Sequence, residues 1–277
     1  MPHITRALLR KRSEHNEGMI STLEEISLHQ EEIEELNEVL GMLCRKLKIV
    51  YLQNNVIPRM ENLFHLKDLE YLNLALNNIA KIEGLQNCEF LKKLDLTVNF
   101  IDFDELKSSI EHLSSRDRLT ELYMMGNPSE VEWGENFKKY VIAKLPQLKT
   151  LDGTEITKSL RIKAVQSLPA LERELEGRAE ACRERKLTKA AEKAAKKAEK
   201  GCTTWSTQPG SDVLVEDVDE NEEEDEDDPN EMTENTPETR VKVSSNRIIF
   251  YSDLVILCVL YDLDLQGTCS PEEGKRR

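Results

Sequence analysis

Apolar residues recur with a fixed spacing along the first 160 residues of the chain. Aligned on leucine, repeated units begin at Leu23, Leu47, Leu69, Leu91, Leu119 and Leu148, in steps of 24, 22, 22, 28 and 29 residues. Residues 69–79 and 91–101 fill the template LxxLxLxxNxI at every fixed position, and residues 47–57 fill it with Val50 in place of the second leucine. Inside each unit the segment xLxLx alternates apolar and variable residues, which predicts a short strand with one buried face.

This pattern predicts a leucine-rich repeat solenoid of the 22-residue type, an α/β fold in which short parallel strands stack into one curved sheet. A single unit cannot bury its own leucines, so neighbouring units must enclose a shared core. In the third unit we expect Leu72 and Leu74 to point inward, and Tyr71 and Asn73 to point to the concave face. The longer fourth and fifth steps fit convex insertions, with a helical segment in residues 103–118.

The ends of the solenoid and the rest of the chain are predicted to form distinct segments. A solenoid needs caps, because its terminal sheet edges and open core would otherwise promote aggregation. In the C-terminal cap we expect the core to be closed by Tyr140, Val141, Leu145, Leu148 and Leu151. The predicted organisation is a capping helix (1–22), leucine-rich repeats (23–125), a C-terminal cap (126–165), a charged helix or coiled coil (166–200), a disordered acidic linker (201–246) and a divergent tail (247–277).

Certain polar residues of the repeats are interpreted as structural. A buried amide at the point where the chain turns away from a strand can bond the backbone groups of that turn. The residues at this position are Asn55, Asn77, Asn99 and Asn127. The first unit has Glu31 there, which indicates a more exposed end of the solenoid. Asp152, in the segment LDG, is predicted to hold the last turn through its carboxylate.

The concave face of the predicted sheet is the candidate binding surface. Its tyrosines and methionine belong to the residue types that are enriched at protein interfaces. Tyrosine is also a good strand former, which is the alternative explanation. We favour a docking surface because no other part of the chain is predicted to cover this face. The candidate residues are Ile49, Tyr51, Gln53, Tyr71, Asn73, Lys93, Asp95, Glu121, Tyr123 and Met125.

The sequence contains no motif of an enzyme active site. There is no P-loop, no dinucleotide-binding GxGxxG, no GxSxG and no HExxH. Each histidine stands alone: His3, His15, His29, His65 and His112. The six cysteines form no CxxC pair and have no histidine at zinc-finger spacing, which favours a reducing compartment. We therefore predict a non-enzymatic protein without a metal or a cofactor.

The net charge of −15 is distributed in blocks. Residues 216–228 carry 11 acids in 13 positions, and residues 178–200 carry nine Lys or Arg against four Glu. The basic segment lacks interleaved aromatic residues, so a solvated helix is favoured over nucleic-acid binding. For the acidic tract, binding of basic proteins and a role in solubility stay equally open. No signal peptide or membrane-spanning stretch is recognised, so we expect a cytoplasmic protein without a membrane partner.

Longer segments carry a resemblance to a known family. The 22-residue unit with its NP…LPQLKTLDG cap is similar to phosphatase regulators, the U2 snRNP A-prime protein, acidic nuclear phosphoproteins and several ciliary proteins. The amino-acid sequence also resembles that of the tilB-like leucine-rich-repeat dynein axonemal assembly factors. The resemblance lies in residues 4–37, 47–57, 69–101, 123–128 and 141–156.

That resemblance implies a scaffold for the cytoplasmic preassembly of axonemal dynein arms, required for cilium motility. It implies assembly factors with a zinc-MYND domain and chaperone machinery as partners, indirect contact with axonemal dynein chains, and the cilium or flagellum as a second location. Family members carry a p23-like CS domain after the acidic linker. Residues 241–277 are too short for that β-sandwich, so we expect a form without it.

A second interpretation is an acidic-tailed leucine-rich-repeat regulator that binds histones or a protein phosphatase. Such a protein also joins a capped solenoid to an acidic tail. Its acidic tail should be longer and should follow the cap directly, whereas about 50 residues with a basic helix intervene here. The assembly-factor interpretation is therefore preferred.

Overall fold

A computed structural model describes residues 3–200, except for the side chains of residues 193 and 196–200. The predicted linker (201–246) and tail (247–277) lie outside the described residues. Within the described part, seven strands form one sheet in chain order: β1 Glu25–Ser27, β2 Ile49–Tyr51, β3 Tyr71–Asn73, β4 Lys93–Asp95, β5 Glu121–Tyr123, β6 Thr150–Leu151 and β7 Thr154–Glu155. β1 to β6 are parallel, and β7 pairs antiparallel with β6. The predicted solenoid is confirmed.

The strands stack without any slip in register. The middle residue of each three-residue strand is buried and lies beside the middle residue of the next strand: Ile26, Val50, Leu72, Leu94 and Leu122. Side chains alternate between the two faces of a strand, so the residues on either side of each middle position point to the opposite, concave face. The repeat of the sequence is therefore converted into straight rows of side chains across the sheet.

Helices are confined to the ends and the convex side of the sheet: α1 Arg6–Arg12, α2 Glu38–Leu43, α3 Phe103–Ser114, α4 Pro128–Trp133, α5 Glu135–Lys144 and α6 Lys158–Lys200. The predicted insertion in the fourth unit is α3, which begins after Asp102, whose carboxylate accepts a hydrogen bond from the Phe103 N–H at 2.7 Å. Phe103, Leu106 and Ile110 are buried at helical spacing, so the insertion adds apolar side chains to the core.

Both ends of the core are closed. At the N-terminus, Ile4 and Leu9 are fully buried, and the Thr5 hydroxyl caps α1 by accepting a hydrogen bond from the Leu8 N–H at 3.2 Å. A 3₁₀ turn, Glu14–Asn16, follows α1. At the C-terminus the five residues predicted to close the core are all buried: Tyr140, Val141, Leu145, Leu148 and Leu151.

The long helix α6 has 43 residues and starts at Lys158, so it runs across the division that the sequence places between residues 165 and 166. Its first part packs on α3 and α5. Five of its side chains are buried there, namely Ala164, Leu171, Leu175, Ala179 and Cys182. Residues 183–192 are all exposed, which matches the charged, solvated helix expected from composition. None of the described helices has the length and apolarity that crossing a membrane requires.

Candidate functional site

The predicted binding residues lie together in rows on the concave face. The first row, one residue from each strand, is Glu25, Ile49, Tyr71, Lys93 and Glu121. The second row is Ser27, Tyr51, Asn73, Asp95 and Tyr123. Residues two positions further along continue a third row: His29, Gln53, Ala75, Thr97 and Met125. We call these three rows the concave surface.

Three tyrosines and one lysine form a contiguous group in the centre of the concave surface. The rings of Tyr51 and Tyr71 meet edge to face, with centroids 5.5 Å apart. The Lys93 ammonium lies 4.6 Å from the Tyr71 ring centroid and 5.2 Å from that of Tyr123. Each cation–π contact contributes about 0.5–1 kcal/mol at a partly exposed site. These four residues, the tyrosine–lysine cluster, are therefore ordered before any partner binds.

The polar neighbours of the cluster are also held in place. The Asn73 amide donates to the Tyr71 hydroxyl at 3.2 Å, and its oxygen accepts from the Ala75 N–H at 3.0 Å. The Asp95 carboxylate accepts from the Thr97 hydroxyl at 2.7 Å and from the Thr97 N–H at 3.0 Å. These bonds fix the orientation of the side chains, and the Asp95 carboxylate is occupied by Thr97. The surface is therefore suited to binding a partner protein.

The predicted structural asparagines bond the backbone of two successive repeats. The Asn77 amide nitrogen donates to the carbonyl oxygens of Leu52 and Leu74, both at 3.0 Å. Its oxygen accepts from the N–H of Ile57 at 3.2 Å. Asn55, Asn99 and Asn127 make equivalent bonds. Each side chain is buried, so each amide ties its own turn to the preceding repeat.

Asp152 ends this series at the last strand. Its carboxylate accepts hydrogen bonds from the N–H groups of Met124 at 2.7 Å and Met125 at 3.1 Å. In interior repeats the corresponding N–H, such as that of Leu96, donates to a carbonyl of the next strand. The Asp152 side chain thus replaces the carbonyl of a missing strand. Burial raises the pKa of Asp152 to about 6 against the effect of these two donors.

Sequence reasoning missed the contacts that fix α6 on the convex side. The Trp133 indole donates to Glu174 at 2.8 Å, and the Arg178 guanidinium donates to Glu174 and to Glu132, both at 3.0 Å. Arg178 also lies 5.3 Å from the centre of the Phe103 ring. A signal was present in the sequence, because the apolar residues 171, 175, 179 and 182 follow helical spacing. Since α6 packs on α3 and α5, it leaves the concave surface accessible.

One cluster of potential metal ligands occurs within residues 3–200, and it belongs to this helix contact. Asp102, Asp104 and Cys182 converge there. However, the Lys186 ammonium donates to both Asp104 oxygens at 2.8 Å, and Arg185 lies 3.3 Å from Asp102. Burial raises the pKa of the Cys182 thiol to about 11, so the thiol stays protonated. The two cations occupy the carboxylates, and the cluster acts as an ion-paired clamp between α3 and α6.

The stacked units, the asparagine series and the two caps define the class of protein as a capped leucine-rich repeat solenoid. The family described as "Leucine-rich repeat" matches residues 21–175, which is more than half of the chain. The chain belongs to this family.

Individual relatives sharpen the comparison. The chain is 49% identical over 175 residues to mouse (Mus musculus) dynein axonemal assembly factor 11, covering 63% of this chain and 36% of the relative. It is 44% identical over 167 residues to the protein of that name from Trypanosoma brucei brucei (60% and 42%), and 44% identical over 165 residues to protein tilB of Drosophila melanogaster (60% and 40%). The chain thus spans about two fifths of these relatives, and the tilB-like resemblance is confirmed.

A solved structure shares the fold. A chain of the SNF/U2A' complex from Drosophila melanogaster is 27% identical, with a TM-score of 0.51, and covers 60% of this chain and 92% of its own length.

Proposed function

We propose that this protein is a non-enzymatic scaffold for the cytoplasmic preassembly of axonemal dynein arms and is required for cilium motility. The observation that carries the proposal is the 44–49% identity over 165–175 residues with relatives named as dynein axonemal assembly factor 11 or tilB. The family match over residues 21–175 includes the repeats that form the pre-ordered surface, which supports a shared binding module. The proposed location is the cytoplasm, with the cilium or flagellum as a second site.

In this proposal the concave surface docks other dynein axonemal assembly factors. Tyrosine is enriched among the residues that dominate binding energy at interfaces. The tyrosine–lysine cluster presents three such rings, and a partner would not need to order them, which lowers the entropic cost of binding. The proposed partners are the zinc-MYND-domain assembly factor and the chaperone machinery, with axonemal dynein chains reached indirectly. Nucleic acid and membrane have no part in this function.

The histone- or phosphatase-binding alternative has weaker support. The three relatives quoted above are named for dynein assembly or as tilB. In addition, α6 places a 43-residue helix after the cap, where an acidic-tailed regulator would continue directly into its acidic tract.

The double variant Tyr71→Ala/Tyr123→Ala tests the proposal. It removes both rings that flank Lys93, so we expect at least a tenfold loss of affinity for a purified zinc-MYND-domain assembly factor, equivalent to about 1.4 kcal/mol or more. Calorimetric titration measures the affinity, and the melting temperature should fall by only a few degrees, because both rings lie on the surface of the sheet and each lost cation–π contact costs about 0.5–1 kcal/mol. In ciliated cells that lack their own copy, the variant should fail to restore dynein arms in electron micrographs.

The control is Phe64→Ala/Phe90→Ala, which removes two aromatic rings from the convex side. The exposed fractions of these two side chains are 40% and 38%. It should bind as the wild type does. Undiminished binding of the tyrosine variant would reject the concave surface as the docking site, and an equal loss in both variants would point to a general effect on folding.

A further inference from the structure

The two edges of the sheet differ in whether their backbone groups have hydrogen-bond partners. At the C-terminal edge, β7 turns back on β6 and the Asp152 carboxylate occupies the last N–H donors. At the N-terminal edge, no strand within residues 3–200 pairs with the outer side of β1. An unpaired edge presents backbone donors and acceptors that another extended chain can use.

The hydrogen bonds between β1 and β2 identify the backbone groups that point away from the sheet. The Glu24 carbonyl accepts a bond from β2 at 3.0 Å, and the Leu28 N–H donates one to β2 at 2.8 Å. In a parallel ladder successive residues bond to opposite sides, so even-numbered residues of this segment face β2. The N–H and C=O groups of Glu25 and Ser27 therefore face away from the sheet, and no residue of the described N-terminal cap bonds them.

A groove of about 580 Å³ runs along this edge, with β1 as one wall and the N-terminal cap as the other. The volume lies within the range of protein pockets that bind ligands. Side-chain hydrogen bonds order the cap wall: Arg12 donates to Glu31 at 2.6 Å, and the Asn16 amide donates to the Met19 carbonyl at 2.7 Å. The groove is therefore present before any extended segment binds.

The charged residues of the groove indicate what kind of segment would bind there. Arg12 is neutralised by Glu31, and Glu24 is paired with Lys48 at 2.8 Å. Glu25 is exposed and has no ion-pair partner within residues 3–200. The uncompensated carboxylate beside the open edge favours an incoming chain with a basic side chain.

We propose that this groove binds an extended, basic segment of a partner protein, which adds to β1 as a further strand and places a Lys or Arg beside Glu25. The site is separate from the tyrosine–lysine cluster, because it uses the backbone groups of β1 and the Glu25 side chain at the edge of the concave surface. Pairing through the backbone supplies affinity, and Glu25 supplies the preference for a basic residue.

A defined probe tests the proposal on the full chain. The probe is a fluorescein-labelled peptide of sequence Thr-Val-Lys-Val-Thr-Lys, and its control is the same peptide N-methylated at alternate residues, which keeps the charge but cannot pair as a strand. Fluorescence polarisation should show saturable binding of the first peptide and at least tenfold weaker binding of the second. Equal binding of both peptides, or no binding of either up to 1 mM, would overturn the proposal.

Variants of the chain locate the site. Glu25→Lys should weaken binding of the probe five- to tenfold, whereas Glu121→Lys, in the same row but on a strand paired on both sides, should change it less than twofold. Ser27→Pro removes an outward N–H without removing a bond to β2 and should abolish binding at an unchanged melting temperature. Probe binding that none of these variants reduces would contradict the edge site.

Two other occupants of the groove are distinguishable. Sedimentation velocity would reveal a concentration-dependent dimer, and loss of that dimer in Ser27→Pro would assign the edge to a second copy of this chain. Zero-length cross-linking of the monomer with mass spectrometry would reveal Glu25 joined to a lysine within residues 201–277. Either result would overturn the assignment to a partner protein.

Discussion

At the residue scale, the solenoid depends on a left-handed residue before the asparagine position of each repeat, a position that Glu31 occupies in the first repeat. Positive φ values occur at Gln30, Asn54, Leu76, Val98 and Gly126, one in each of five successive repeats. Leucine and valine rarely adopt this conformation, because the Cβ atom crowds the backbone. Here the Leu76 N–H donates to Thr97 and the Val98 N–H to Met125, both at 2.8 Å. Bonds to the next repeat therefore hold an unfavourable backbone in place.

Another single residue, Asp152, should make the free energy of unfolding depend on pH. Its pKa is raised to about 6 in the folded protein by burial, so the folded state holds the proton more tightly than the unfolded state does. The free energy of unfolding should fall as pH rises from about 4 to about 6 and stay lower above that. Asp152→Asn keeps an acceptor oxygen but removes the charge. Its stability relative to wild type should rise by about 1–3 kcal/mol between pH 4.5 and 7.5, measured by urea unfolding.

Asp152→Ala is the control for this prediction. It removes the acceptor for Met124 and Met125 as well as the charge, so it should be about 1–3 kcal/mol less stable than Asp152→Asn at both ends of the range. A constant difference between wild type and Asp152→Asn across pH would mean that the carboxylate stays ionised in the folded protein.

At the element scale, α6 is one helix with two environments. Its first part buries Leu171 and Leu175 and is clamped by the ion pairs of Arg185 and Lys186 with Asp102 and Asp104. Residues 183–192 are exposed, with Leu187 at 70%. Among the described side chains, the helix therefore packs on the folded unit only as far as the clamp.

Two leucine substitutions on the same helix should separate these environments. Leu175→Ala removes a buried side chain and leaves a cavity, so it should lower the free energy of unfolding by about 2–4 kcal/mol. Leu187→Ala should change it by less than about 0.5 kcal/mol, because no packing is lost. Urea unfolding followed by circular dichroism measures both, and similar values for the two variants would contradict the docked arrangement.

At the scale of the whole molecule, the repeats share one core that runs from Ile4 to Cys182. Each repeat contacts its neighbours through the sheet and the asparagine side chains, so stability should be coupled between adjacent repeats. The open concave surface and the finished C-terminal edge are properties of the stack, since no single repeat has either one.

This coupling is measurable by hydrogen exchange. Leu72→Ala, in the central strand β3, should cost about 2–5 kcal/mol and should speed amide exchange in β2 and β4 as well as in β3. Leu9→Ala, in α1, should speed exchange chiefly in the first repeat. Faster exchange confined to β3 in the first variant would show that the repeats open independently.

The periodic framework of the fold could be predicted from the amino-acid sequence alone. Leucines spaced 22 residues apart, with alternation inside each unit, can bury their side chains together only as stacked strands, so the fold, the inward residues and the rows of the concave surface followed from spacing. The asparagine positions could also be predicted, because a buried turn needs partners for its backbone groups. The helix α3 followed from the length of the fourth unit.

The structure of the sheet ends and the contacts between residues distant in the sequence could be seen only in the folded protein. The clamp joins Asp102 to Cys182 and Arg185, about 80 residues apart in the sequence, and no local pattern encodes such a pairing. The same holds for the left-handed turn at Val98, which is stabilised by a bond to the next repeat. It also holds for the contrast between the closed edge at Asp152 and the edge at β1, which no strand within residues 3–200 covers. Each depends on which groups the completed stack leaves unpaired, and spacing along the chain does not specify that.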